Sequence, residues 1–103
     1  MNVPKKIKIA GVEYSIKVEN KELDKDRAYG IANYITSEIL LSTKYNHRDR
    51  SELSVEQTFW HEALHAMLDV MQEDDLNNNE KFVNTLSSFI HQIVSDNFKL
   101  KTK

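Results

Sequence analysis

The segment His61-Glu62-Ala63-Leu64-His65 joins residue types and a spacing that make a reactive centre. Two histidines four positions apart on a helix lie on one face, one turn above the other, where both imidazoles reach a single ion. Zinc takes nitrogen ligands of this kind. Glu62 projects beside such an ion, within reach of a water that the metal activates, so its role is general base and then general acid. Zinc lowers the pKa of water from about 16 to roughly 7 and polarises a carbonyl, which are the two requirements for hydrolysing a peptide bond at neutral pH.

A catalytic zinc takes three protein ligands and leaves one position open, so a third ligand must come from outside the pair. The longer pattern HExxHxxGxxH is not met, because Leu68 stands at its glycine position and Met71 at its third histidine. Asp69 lies about 12 Å along the helix from His61, too far to share the ion and better suited to supporting an imidazole. Glu80 opens the next helical segment, and a short return loop brings it back against the first helix, facing His65. His61, His65 and Glu80 are therefore the expected zinc ligands. The competing reading of Glu80 is a carboxylate that favours a helix N-terminus through the helix dipole.

Asn84, one turn beyond Glu80, is either an orienting partner for a ligand histidine or a solvated helix residue. His91 is about 16 Å further along that helix than Glu80 and is expected to be structural. His47 and Tyr45, in the segment before the motif, are either oxyanion donors swung over the metal or plain loop residues.

The helix carrying the motif is expected to begin at Ser54, an N-cap candidate with Gln57 completing a capping box and Glu56 in the first turn. From Val55 to about Gln72 its apolar residues spread around most of the circumference, as in a central, largely buried helix, with Trp60 in the core. Glu73 to Asn79 (EDDLNNN) reads as a link. A second helix follows from Glu80 to about Phe98, with an apolar stripe that includes Phe82, Val83, Leu86 and Ile90.

Upstream, Lys6 to Val18 alternates with period two around Ala10-Gly11, the pattern of a β-hairpin. Asn20 to Arg27 reads as a loop or short helical turn, Ala28 to Ile35 as a third strand, Thr36-Ser37 as a turn and Glu38 to Ser42 as a fourth strand. Thr43 to Leu53 reads as a loop. The fourth strand either packs within the sheet or forms an exposed edge that lays an extended peptide antiparallel over the zinc. The expected fold is α+β, one domain over residues 1–103, with a mainly antiparallel sheet of three or four strands packed on two helices.

At 103 residues and no cysteine, the chain has room for one modest core, and any metal must be held by His, Asp or Glu. Fourteen basic and sixteen acidic residues are mixed along the chain, apart from a basic tail of Lys99, Lys101 and Lys103, so no nucleic-acid partner is expected. No apolar run approaches the length that spans a bilayer, and Met1 to Val12 alternates lysine with isoleucine instead of forming a secretory signal. The expected setting is cytoplasmic, without a membrane partner.

These residues resemble the gluzincin class of metallopeptidases, in which HExxH on one helix is followed by a glutamate ligand near the start of the next. Asn79-Glu80 followed by Asn84 looks like the Asn-Glu-xxx-Asp arrangement of thermolysin-like enzymes, with asparagine in place of the aspartate. The order of small sheet, WHEALHAML helix, acidic loop and NEKFVNTLSSFI helix is similar to minimal gluzincin-like proteins of phages and mobile elements. Those are distantly similar to the ImmA/IrrE peptidases, whose usual HELGH is replaced here by His61-Glu62-Ala63-Leu64-His65. The resemblance implies a zincin-like fold and a zinc-dependent peptidase acting on a peptide or protein. The alternative is a zinc-containing binding protein, an antirepressor or assembly factor, without turnover.

Overall fold

The computed structural model describes residues 3–98, so Lys99, Lys101 and Lys103 of the basic tail lie outside the described residues. The fold is α+β. Strands β1 (Lys6–Ile9) and β2 (Val12–Val18) form the expected hairpin, with Ile9 opposite Val12. Ala10 and Gly11 both take positive φ, 51° and 82°, as a two-residue turn that follows the right-handed strand twist requires.

Helix α1 (Asn20–Lys25) occupies the segment read as a loop or short turn. Strands β3 (Gly30–Asn33) and β4 (Glu38–Leu41) follow, and the sheet order is β1-β2-β4-β3. Two of its pairings are antiparallel, but β2 and β4 run parallel, so the sheet is mixed. α1 and β3 together form the crossover that a parallel pair needs.

This order overturns one reading of the fourth strand. β4 is flanked on both sides, with Ile39 and Leu41 fully buried, and β3 is the open edge beside the helices. The third strand is also shorter than the run Ala28 to Ile35. The Asn33 side chain accepts hydrogen bonds from the Ile35 and Thr36 amides, which turns the chain and releases Tyr34 from the sheet.

Thr43 to Leu53 is more ordered than a loop. It contains strands β5 (Lys44–Tyr45) and β6 (Arg48–Asp49), joined through Asn46 and His47, both at positive φ. Helix α2 (Glu52–Met71) starts three residues earlier than expected. Ser51 is the N-cap, its hydroxyl accepting from the Ser54 amide, whereas Ser54 is held by Arg50 and Gln57 donates to Ser87. α2 ends at Gln72, whose φ of 58° closes the last turn. The acidic link contains a single helical turn, α3 (Asp74–Asn77), before α4 (Glu80–Asn97), which Asn79 caps.

α2 lies between the sheet and α4. Val55, Phe59, Ala63 and Ala66 bury one face against Ile9, Tyr14, Ile39 and Leu41, while Leu64 and Leu68 pack on Val83 of α4. Trp60 is half-buried against the first cluster, edge-on to Phe59. Removing a fully buried ring such as Phe59 costs about 3–5 kcal/mol, so this face fixes α2 on the sheet and leaves its remaining face to the polar motif. Close approach is possible because residue 30 is glycine. A Cβ there would stand 2.7 Å from Thr58 Cγ2 and 3.3 Å from Glu62 Cγ. No described helix is long and apolar enough to cross a membrane.

Candidate metal centre

α2 presents His61 and His65 one turn apart, their ring centroids separated by 4.9 Å. The antiparallel return of α4 places its first residue opposite them. Nε2 of His61 is 3.3 Å from Glu80 Oε1, and Nε2 of His65 is 3.2 Å from Glu80 Oε2. One ligand atom from each of the three residues falls within a sphere of mutual distances no greater than 4.8 Å, a group that could hold a metal ion. Ligands at 2.0–2.1 Å from a tetrahedral zinc stand roughly 3.4 Å apart, so a set spread over no more than 4.8 Å, with one imidazole nitrogen near each carboxylate oxygen, lies within a small side-chain adjustment of that arrangement.

His61 is set up as a neutral donor. Burial and then the neighbouring His65 push the His61 pKa down, against smaller upward contributions from Glu80 and from a hydrogen bond to Asn84. His65 is oriented by Asn77. The Asn77 Nδ2 donates to the Tyr34 hydroxyl at 3.3 Å, which turns its Oδ1 toward His65 Nδ1. That oxygen accepts from an Nδ1–H, and in the neutral tautomer so favoured Nε2 presents its lone pair to the centre.

Glu62 lies between α2 and β3, buried and held by the Ala32 amide. Burial, followed by the weaker influences of His65 downward and Glu80 upward, raises its pKa to about 7. A carboxylate poised there exchanges a proton readily at neutral pH. The Tyr34 hydroxyl pKa is also raised, chiefly by burial, so it stays a proton donor.

Two clefts flank the centre and share Glu62 and Glu80. One, about 480 Å³, lies toward the C-terminal end of β3 and is lined by Ala32, Tyr34, His65 and Asn77 among others. The other, about 570 Å³, opens toward the N-terminal end of β3, where Arg27, Gly30, Arg50 and His61 line it.

The fold thus brings His61, Glu62, His65, Glu80 and Asn84 together. Other candidates fall elsewhere. Asp69 is outside the ligand group and acts on Tyr14 and Tyr34 only through its charge. His47 pairs with Asp24 at 2.9 Å, and Tyr45 stacks on Tyr29 with centroids 5.0 Å apart, so neither reaches over the centre. The short β5–β6 hairpin directs His47 toward α1 and Tyr45 toward the residue before β3. His91 contacts Gln57 and Glu56. Sequence reasoning missed Tyr34 and Asn77, the first hidden in an apparent strand and the second in an apparent linker. The Asn33 turn signal ahead of Tyr34 was the available clue.

No family model, no curated protein and no solved structure matches this chain.

Proposed function

We propose that the protein is a small zinc-dependent peptidase of gluzincin-like, zincin-like type, working in the cytoplasm on a peptide or protein substrate. The observation that carries this reading is the convergence of His61, His65 and Glu80, with one ligand atom from each within 4.8 Å of the others, beside a buried glutamate whose pKa is near 7. A zinc ion held by these three residues supplies Lewis acidity, polarising the scissile carbonyl and acidifying water.

The chain's own groups do the rest. Glu62 takes the proton from the attacking water and returns it to the leaving amine, a transfer worth about 100- to 10,000-fold in rate. The Tyr34 hydroxyl, which lines the same cleft as Glu62, donates to the carbonyl oxygen as negative charge grows there. Asn77 and Asn84 hold the two imidazoles in register. The open edge of β3, rather than β4, offers backbone groups to an extended substrate running antiparallel to it.

The test is metal content together with turnover. Protein purified without chelator is expected to hold one zinc per chain by elemental analysis and to cleave an unfolded protein substrate. Glu62→Gln is expected to retain the zinc and lose at least about 100-fold in kcat. Metal-free protein that will not take up zinc, or a Glu62→Gln variant as active as the parent, overturns the reading.

A further inference from the structure

Arg50 is a half-buried cation held entirely by neutral groups. Its Nη1 donates to the carbonyls of Ser42 at 2.6 Å and Tyr29 at 3.3 Å. Nη2 donates to Ser54 O at 3.0 Å, Ser54 Oγ at 2.9 Å and Thr58 Oγ1 at 2.6 Å. The guanidinium also lies 4.5 Å from the Tyr29 ring centroid. These contacts fix the side chain but cancel none of its charge, and no carboxylate pairs with it among the described residues.

Arg27 faces the same cleft with an exposed side chain that has no hydrogen bond or ion pair among the described residues. Its backbone position is unusual for an arginine. The Arg27 amide bonds to Asp24 O at 3.1 Å and the Ala28 amide to Leu23 O at 2.8 Å, which closes α1 with residue 27 at φ 54°. Glycine is the favoured residue at that left-handed position, so the turn itself makes no demand for arginine.

Arg50 lies one side chain from Glu62, and Arg27 lines the same cleft. Thr58, which touches Arg50, precedes Glu62 by one turn, about 6 Å along α2. We infer that this cleft binds a carboxylate on the C-terminal side of the scissile bond, with Arg27 making the direct contact and Arg50 fixed behind it as a positive charge. The inference rests on the peptidase reading. Its polarity follows from a substrate antiparallel to β3, whose residues after the scissile bond then lie over Gly30 and this cleft. The carboxylate is either an Asp or Glu side chain or the free C-terminus of a short peptide.

The zinc-loaded protein separates these sources with matched peptides. Acetyl-Ala-Ala-Leu-Xaa-Ala-Ala amides with Glu, Gln or Lys at Xaa test the side chain, and acetyl-Ala-Ala-Leu-Ala as free acid or amide tests the terminus. Cleavage positions are read by mass spectrometry. A preference of at least about tenfold in kcat/KM for Glu over Gln, or for acid over amide, is expected, consistent with one charge-assisted contact. Arg27→Gly should erase that preference with an unchanged or higher melting temperature, and Arg27→Lys should restore part of it. Equal cleavage of all the peptides overturns the inference while leaving the peptidase reading intact. If none is cleaved, fluorescein-labelled versions are titrated onto wild type and Arg27→Gly: tighter, Arg27-dependent binding of the carboxylate peptide supports the carboxylate site in this cleft. Equal binding, or none, overturns the inference as well.

Discussion

Two histidine–glutamate clusters lie between α2 and α4, and they are wired in opposite ways. At the motif, two imidazoles turn their Nε2 atoms onto the two oxygens of one carboxylate, while Asn77 takes the outer nitrogen of His65. Further along the same interface, one imidazole spreads its nitrogens outward: Nδ1 of His91 meets Gln57 Oε1 at 3.0 Å, and Nε2 meets Glu56 Oε1 at 3.3 Å. Gln57 continues to Ser87, and Ser87 to the Asn84 carbonyl. Convergent lone pairs leave a place for a cation, whereas divergent bonds satisfy the histidine and leave none. Residue type alone does not separate the two clusters; direction does.

The contrast is broken most directly by removing one histidine from each. His65→Ala is expected to lower zinc affinity by well over 100-fold, because a ligand is lost, and His91→Ala to leave it unchanged. His91→Ala instead destabilises the fold by about 1–3 kcal/mol, since buried Glu56 and half-buried Gln57 each lose a hydrogen-bond partner. Competition with a chromophoric chelator and thermal unfolding read the two effects. Equal zinc affinities for the two variants would erase the distinction.

A smaller effect sharpens the account of how the convergence is held. Asn77→Ala frees the His65 ring and releases Tyr34, and zinc affinity is expected to fall about 10- to 100-fold with the ligand set intact. The same chelator titration checks it.

The smallest effect concerns the metal-free protein. Glu62 has a folded pKa of about 7 against an ordinary 4.5. Between those values the folded chain retains a proton that the unfolded chain has lost, so stability falls as pH rises through that window. Glu62→Gln should flatten this dependence and, at pH 8, exceed the parent by on the order of 1–3 kcal/mol. Denaturant melts at pH 4.5, 6 and 8 on chelator-treated protein provide the comparison, and parallel curves for the two proteins would rule out a raised Glu62.

The motif was legible early because helical periodicity is local. Once residues 61 to 65 are helical, both imidazoles must share a face, and a short acidic link all but requires α4 to return antiparallel with Glu80 at its start. The hairpin at Ala10-Gly11 and the burial of α2 follow from the same local rules. Those rules failed at Ser54, where Arg50 competes for the hydroxyl and leaves Ser51 to cap the helix. They failed again at Tyr34, which the Asn33 side chain turns out of its strand.

The amino-acid sequence by itself determined the face that carries His61, Glu62 and His65, the helix that begins at Glu80, and the absence of any thiolate ligand. Only the tertiary structure decided that β2 and β4 pair in parallel, that β3 is the open edge, that Asn77 and Tyr34 reach the centre and that Arg27 and Arg50 share its cleft. The first group depends on spacings of a few residues along one helix. The second depends on contacts between segments such as Tyr34 and Asn77, 43 positions apart, whose meeting is set by how α2 packs on the sheet.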